Sequence, residues 1–99
     1  MKNIIDQIIQ TTASEFGITT RMILGKTKSQ QASVPRLLAM YTAWTYLGVA
    51  DRTIAYYFNR KHGDSVRYAR NVVPTILETN KTFRKAYQNI EQKLENTKK

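Results

Sequence analysis

The chain has no cysteine and one histidine, His62, among its 99 residues. The first absence removes disulfides and thiolate metal sites. The second leaves His62 without the companions a metal site needs. No apolar run approaches the length of a membrane span. The N-terminus lacks the basic, apolar and small-residue order of a secretory leader. Acids are scarce as well, with seven Asp and Glu against sixteen Lys and Arg. Asp6, Glu15, Asp51 and Asp64 present no paired-carboxylate pattern. Ser29, Ser33 and Ser65 lack the base and acid that activate a hydroxyl. The expectation is a non-enzyme with no cofactor and no metal, cytoplasmic and off the membrane.

What is abundant is positive charge. The formal net charge is +9 and the pI is near 10.0. Such a field favours polyanions. From Arg21 to Arg70 the bases are Arg21, Lys26, Lys28, Arg36, Arg52, Arg60, Lys61, Arg67 and Arg70, opposed only by Asp51 and Asp64. Toward the C-terminus the signs interleave: Lys81, Arg84, Lys85, Glu91, Lys93, Glu95. A solvated helix face usually mixes signs. The excess in the middle of the chain therefore marks a candidate nucleic-acid surface.

Apolar spacing is helical almost throughout. Ile5, Ile8, Ile9, Thr12, Ala13 and Phe16 predict a first helix from Lys2 to Phe16, stopped by Gly17. Thr19 or Thr20 can cap a short second helix with Met22, Ile23 and Leu24 inward and Gly25 at its end. Lys26 to Ala32 reads as a basic loop. Ser33 can cap a third helix from about Val34 to Leu47, with Pro35 in its first turn. Leu37, Leu38, Met40, Tyr41, Trp44 and Leu47 cover more than one face, which suits a central helix. Gly48 fits a left-handed cap, and Val49 can pack back against the helix. Asp51 can cap a fourth helix, Arg52 to Phe58, with Ile54, Ala55 and Phe58 inward. After the turn Asn59-Arg60-Lys61-His62-Gly63, Asp64 or Ser65 can cap a fifth helix. That helix carries Val66, Ala69, Val72, Val73, Ile76 and Leu77, and Pro74 inside it predicts a kink or break. Thr79 or Asn80 can cap a last helix, whose stripe is Phe83, Tyr87, Ile90 and Leu94. The expected organisation is one all-α domain of five to six helices over residues 1–95, with a frayed basic tail at 96–99.

A short helix, a tight turn and a longer helix opening on small polar residues, between Asp51 and about Leu77, is the helix-turn-helix layout. Small residues there let the second helix enter the major groove, and its free N–H groups suit phosphate. Arg67 and Arg70 lie one turn apart and can reach phosphate or a guanine edge.

These residues resemble a family. The order Glu15-Phe16-Gly17-Ile18, Leu24-Gly25-Lys26, a basic loop, Pro35-Arg36, Ala39-Met40, Ile54 with Phe58, and Val66 with Ala69 looks like the C-terminal DNA-binding domain (domain IV) of the bacterial replication initiator DnaA. The resemblance covers about Ile8 to Leu94. It implies a Trp-repressor-like helical fold, a recognition helix reading a short box in the major groove, and a basic loop reaching an adjacent minor groove. By position, Lys26, Lys28 and Arg36 would contact the DNA backbone. Gln30 stands where the family commonly has a minor-groove arginine. The family's Asp-His-Thr-Thr-Val signature meets His62-Gly63-Asp64-Ser65-Val66 without a gap, or His62 matches its histidine with one residue inserted before Val66. The base-reading set is altered in either register.

The expected DNA-binding residues are Lys26, Lys28, Gln30, Arg36, Arg52, Arg60, Lys61, His62, Asp64, Ser65, Arg67 and Arg70. The expected partner is double-stranded DNA, with a replication protein as a second candidate and a monomer as the default state. No Walker motif is present. The chain is expected to be a stand-alone relative of bacterial, phage or mobile-element origin, or a domain excised from a longer protein. The alternative function is a protein-interaction module for an acidic partner or the replication machinery, anchored by an exposed Trp44 and the tyrosines. RNA stacking is a third option. Packing on the first or last helix is the plainer expectation for Trp44. Core and rim packing is the plainer one for Tyr56, Tyr57 and Tyr68.

Overall fold

Ile5, Ile8, Ile9, Thr12 and Ala13 recur on one side of α1 (Lys2–Phe16), and all five are buried. Gly17 ends the helix at φ 66, a left-handed conformation that glycine adopts without a Cβ penalty. The short α2 (Thr20–Leu24) starts where the Thr19 hydroxyl accepts from the Met22 N–H at 3.1 Å, as its sequence predicts. The computed structural model describes residues 1–97 and contains six α-helices and no strand among them.

The central helix, α3 (Gln30–Leu47), starts four residues earlier than its sequence predicts. Ser29, not Ser33, stands at its N-terminus, and the Ser29 carbonyl accepts from the N–H groups of Ala32 and Ser33. The polar run Gln30-Gln31-Ala32 lacks apolar period because its outer face is solvated, while Ala32 itself is fully buried. Pro35 therefore lies inside the helix rather than in its first turn. α3 packs against α1, α2, α4 and α5. That central position explains an apolar surface too wide for a single stripe. Gly48 closes the helix at φ 63, as predicted.

α4 (Asp51–Tyr57) buries Ile54 and Ala55, and Phe58 follows it as a fully buried C-cap. Asn59 then takes φ 60, a region asparagine tolerates better than most residues. α5 (Asp64–Thr79) buries Val66, Ala69 and Val73. It continues as helix through Pro74, so of the expected kink or break the break does not occur. Asn80 joins α5 to α6 (Lys81–Thr97), its side chain accepting from the Phe83 N–H at 3.0 Å. Phe83, Ile90 and Leu94 are buried, with Tyr87 packed beside them. α6 closes over α1 and α5. Helix continues through Thr97 in the segment expected to fray, and the rest of that tail lies outside the described residues.

Two further caps differ from expectation. Ala50 precedes α4 and Gly63 precedes α5, and neither helix has a side-chain cap. Asp51 and Asp64 are instead the first helical residues, where a carboxylate still favours the positive helix end. Both are engaged by arginines of α5.

Candidate nucleic-acid interface

Gly63 sets the geometry between α4 and α5. A Cβ at this position would sit 2.8 Å from the Asp51 Cβ and 2.9 Å from the Arg52 nitrogen. The turn thus presses directly on the start of α4, and only a residue without a side chain fits. Its φ of −78 is ordinary, so closeness rather than backbone conformation demands glycine. This contact draws Arg52, Lys61 and His62 to the same end of the molecule as the start of α5. All three are exposed.

Along α5 the exposed positions are Asp64, Arg67, Tyr68, Asn71 and Thr75, with Glu78 and Thr79 at its end. Asp64 and Tyr68, and Arg67 and Asn71, stand four apart and share one face. Arg67 is exposed and makes a loose 3.4 Å contact with Asp64. Tyr68 is 58% exposed, so core or rim packing does not describe it. Beside this face lies a cleft of about 580 Å³. The loop and α3 side contributes Lys28, Gln30 and Ser33, and the α5 side contributes Ser65, Tyr68, Val72 and Ile76. Lys26, Lys28 and Gln30 are exposed. The structure therefore brings the basic loop and the first turns of α5 to two sides of one opening.

Three expected DNA contacts have other work. Arg36 is 7% exposed. Its Nε donates to the Ile23 carbonyl at 2.6 Å, and its two terminal nitrogens donate to Met22 and Thr27 at 2.8 and 3.0 Å. It closes the end of α2 and ties down the loop. Burial, and then the nearby charge of Arg60, push its pKa down from the ordinary guanidinium value. Arg60 donates to the carbonyls of Leu24, Gly25 and Phe58 at 3.3, 2.8 and 2.8 Å. It joins the helix-turn-helix turn to the same loop. Arg70 turns away from Arg67: its Nη2 meets an Asp51 carboxylate oxygen at 2.7 Å, and its guanidinium lies 5.0 Å from the centre of the Trp44 ring. That contact covers Trp44 from the α5 side, so Trp44 is no free anchor, and Tyr41 packs 6.3 Å from it.

Asn71 is exposed on α5 but carries no charge or motif that marks it in the sequence. Its signal is its place one turn beyond Arg67, on the polar side of a helix whose apolar positions are Val66, Ala69 and Val73. The described residues hold no group of His, Cys, Asp or Glu able to bind a metal. No helix among them is long and apolar enough to cross a membrane.

Comparison with known proteins matches residues 5–73 to the model of the bacterial dnaA protein helix-turn-helix. The chain is 34% identical over 80 residues to the chromosomal replication initiator protein DnaA of Thermotoga maritima, covering 81% of this chain and 18% of that protein. It is 30% identical over 70 residues to a chromosomal replication initiator protein of Protochlamydia amoebophila, covering 71% of this chain and 16% of that protein. The chain thus spans less than a fifth of the length of these relatives. The matched stretch ends within α5 and holds the buried core of α1 to α5, the basic loop and the Gly63 turn. The chain belongs to the bacterial DnaA helix-turn-helix family.

Proposed function

We propose that this domain binds double-stranded DNA with the first turns of α5 in the major groove and the Lys26–Gln30 loop on the adjoining backbone and minor groove. The observation that carries the reading is the juxtaposition of Ser65 and Tyr68 with Lys28 and Gln30 across one cleft, with Arg67 and Asn71 exposed on the same helix. Asp64, Ser65, Arg67, Tyr68 and Asn71 are the base-edge candidates. Lys26, Lys28, Arg52, Lys61 and His62 are the phosphate candidates. Arg36, Arg60 and Arg70 act at one remove by holding the loop, the turn and α5 in place. Gln30 in place of a loop arginine weakens attraction to a narrow A·T minor groove. The target box therefore differs from the one the family's usual signature reads. The setting is replication initiation or its control, in the bacterial cytoplasm, with the domain acting as a monomer and performing no catalysis.

Selection from a random duplex library tests this directly. A short enriched motif is expected, and Arg67→Ala should relax preference at one base position by ~1–3 kcal/mol. No enriched motif would remove sequence reading. The competing reading, docking of an acidic protein, loses its expected anchor because Trp44 lies under Arg70.

A further inference from the structure

The duplex reading leaves the ring pair of α4, Tyr56 and Tyr57, unused, on a surface that shares Arg52 and Lys61 with its phosphate candidates. On the outward side of α4, Tyr56 is 73% exposed, more than any other large apolar or aromatic side chain described. Tyr57, half-buried against the core, meets it edge-to-face with ring centres 5.3 Å apart and planes at 83°. The pair separates two adjoining hollows. One, of about 510 Å³, is bounded by Arg52, Thr53, Arg60 and Lys61. The other, of about 430 Å³, is bounded by Lys2 and Asn59. Lys2, Arg52 and Lys61 are exposed, and none forms an ion pair among the described residues. No acid lines either hollow. The strip starts at Arg52, beside the Gly63 turn, and runs to the first turn of α1.

We propose that this strip binds an unpaired DNA strand, with a base stacked on Tyr56 and its phosphates on Arg52, Lys61 and Lys2. Three features carry the inference together. Cations without acid partners at both ends of the strip match a phosphate backbone. An exposed ring, braced by a second one, offers a flat face to any base. Hollows on both sides of the ring pair give room for successive nucleotides. An acidic peptide would use the cations but has no need of an exposed ring braced at right angles. The strip shares Arg52 and Lys61 with the duplex phosphate candidates, but Tyr56 lies on α4 and the base-edge candidates lie on α5, so variants of Tyr56 tell the two modes apart.

Fluorescence anisotropy with a labelled 20-mer of thymidylate, a matching abasic strand, a random duplex and polyglutamate separates the outcomes. The thymidylate strand should bind, and the abasic strand should bind about tenfold more weakly. Tyr56→Leu should lose about tenfold on thymidylate and nothing on duplex, while Tyr56→Phe retains wild-type binding. Asn71→Ala, on the other face, should leave thymidylate binding unchanged. Tyr56 is exposed, so these variants are expected to fold, and circular dichroism checks that they do. Equal affinity for thymidylate and abasic strands, an unchanged Tyr56→Leu variant, or polyglutamate competing as well as thymidylate would each overturn the proposal.

Discussion

Replacing Arg36 by alanine separates a structural arginine from a DNA-contacting one. Arg36 spends three donors on the carbonyls of Met22, Ile23 and Thr27 at 2.6–3.0 Å. A hydrogen bond from a charged donor contributes about 1.5–3 kcal/mol. Bonds sharing one guanidinium are not additive, and some of the freed carbonyls regain water. A net loss of about 3 kcal/mol follows, which for a domain of this size lowers Tm by roughly 12–24 °C. Arg36→Lys should recover little, since an ammonium cannot reproduce a planar fork of donors. Thermal unfolding followed at 222 nm measures the shift. Duplex binding is then measured below the variant's transition. Affinity should fall less than tenfold, through loosening of Lys26 and Lys28, and the salt dependence should keep its slope. An unchanged Tm together with a salt slope shallower by about 0.9 would refute the assignment and make Arg36 a phosphate contact.

Further outcomes follow from the same geometry. Lys26, Lys28, Arg52 and Lys61 are the exposed Lys and Arg residues assigned to phosphate, so the slope of log Kd against log salt should have a magnitude of about 3.6; a slope near zero would remove the electrostatic design. Gly63→Ala drives a Cβ to within 2.9 Å of backbone at Arg52, and chemical denaturation should show a loss of about 1–3 kcal/mol. Glu15 accepts from Asn89 at 3.0 Å and from Lys93 at 3.2 Å, joining α1 to α6. The Asn89 bond and the Lys93 charge hold its carboxyl below the usual value against the opposing effect of burial. A depressed folded pKa means its stabilisation is present above the ordinary carboxylate range and lost as pH falls through the folded value. Glu15→Gln should therefore flatten the acid limb of the Tm–pH curve, and an unchanged limb would assign the acid sensitivity elsewhere.

The helices were legible because apolar period and glycine stops are local. Gly17 and Gly48 end their helices where expected, and the Phe83–Tyr87–Ile90–Leu94 stripe packs as read. The start of α3 was hidden because Gln30 and Gln31 are exposed, and their helix is supported by the Ser29 carbonyl rather than by packing. Pro74 did not break α5 because packing on α3, α4 and α6 outweighs one missing backbone bond. Asp51 resembled a cap by residue type alone. Its partner, Arg70, lies nineteen positions away, a distance no local rule can see.

The same blindness explains the arginines. Charge counting treats Arg36, Arg60, Arg67 and Arg70 as equals, yet three of the four point at the protein's own carbonyls, a carboxylate and an indole face. A guanidinium suits that work because it offers a fixed fork of donors and a flat surface. In a helix-turn-helix the reading element must be held to within a fraction of an ångström of its groove. Here the loop is held by Arg36, the turn by Arg60 and α5 by Arg70. Arg36 and Arg60 also line the cleft between the loop and α5. A basic composition therefore serves two ends at once, a rigid frame and a positive field. Only exposure separates the cations free to meet a phosphate from those that hold the frame. Replacing Arg60 or Arg70 should consequently cost stability first and affinity second, whereas replacing Lys28 or Arg67 should cost affinity alone.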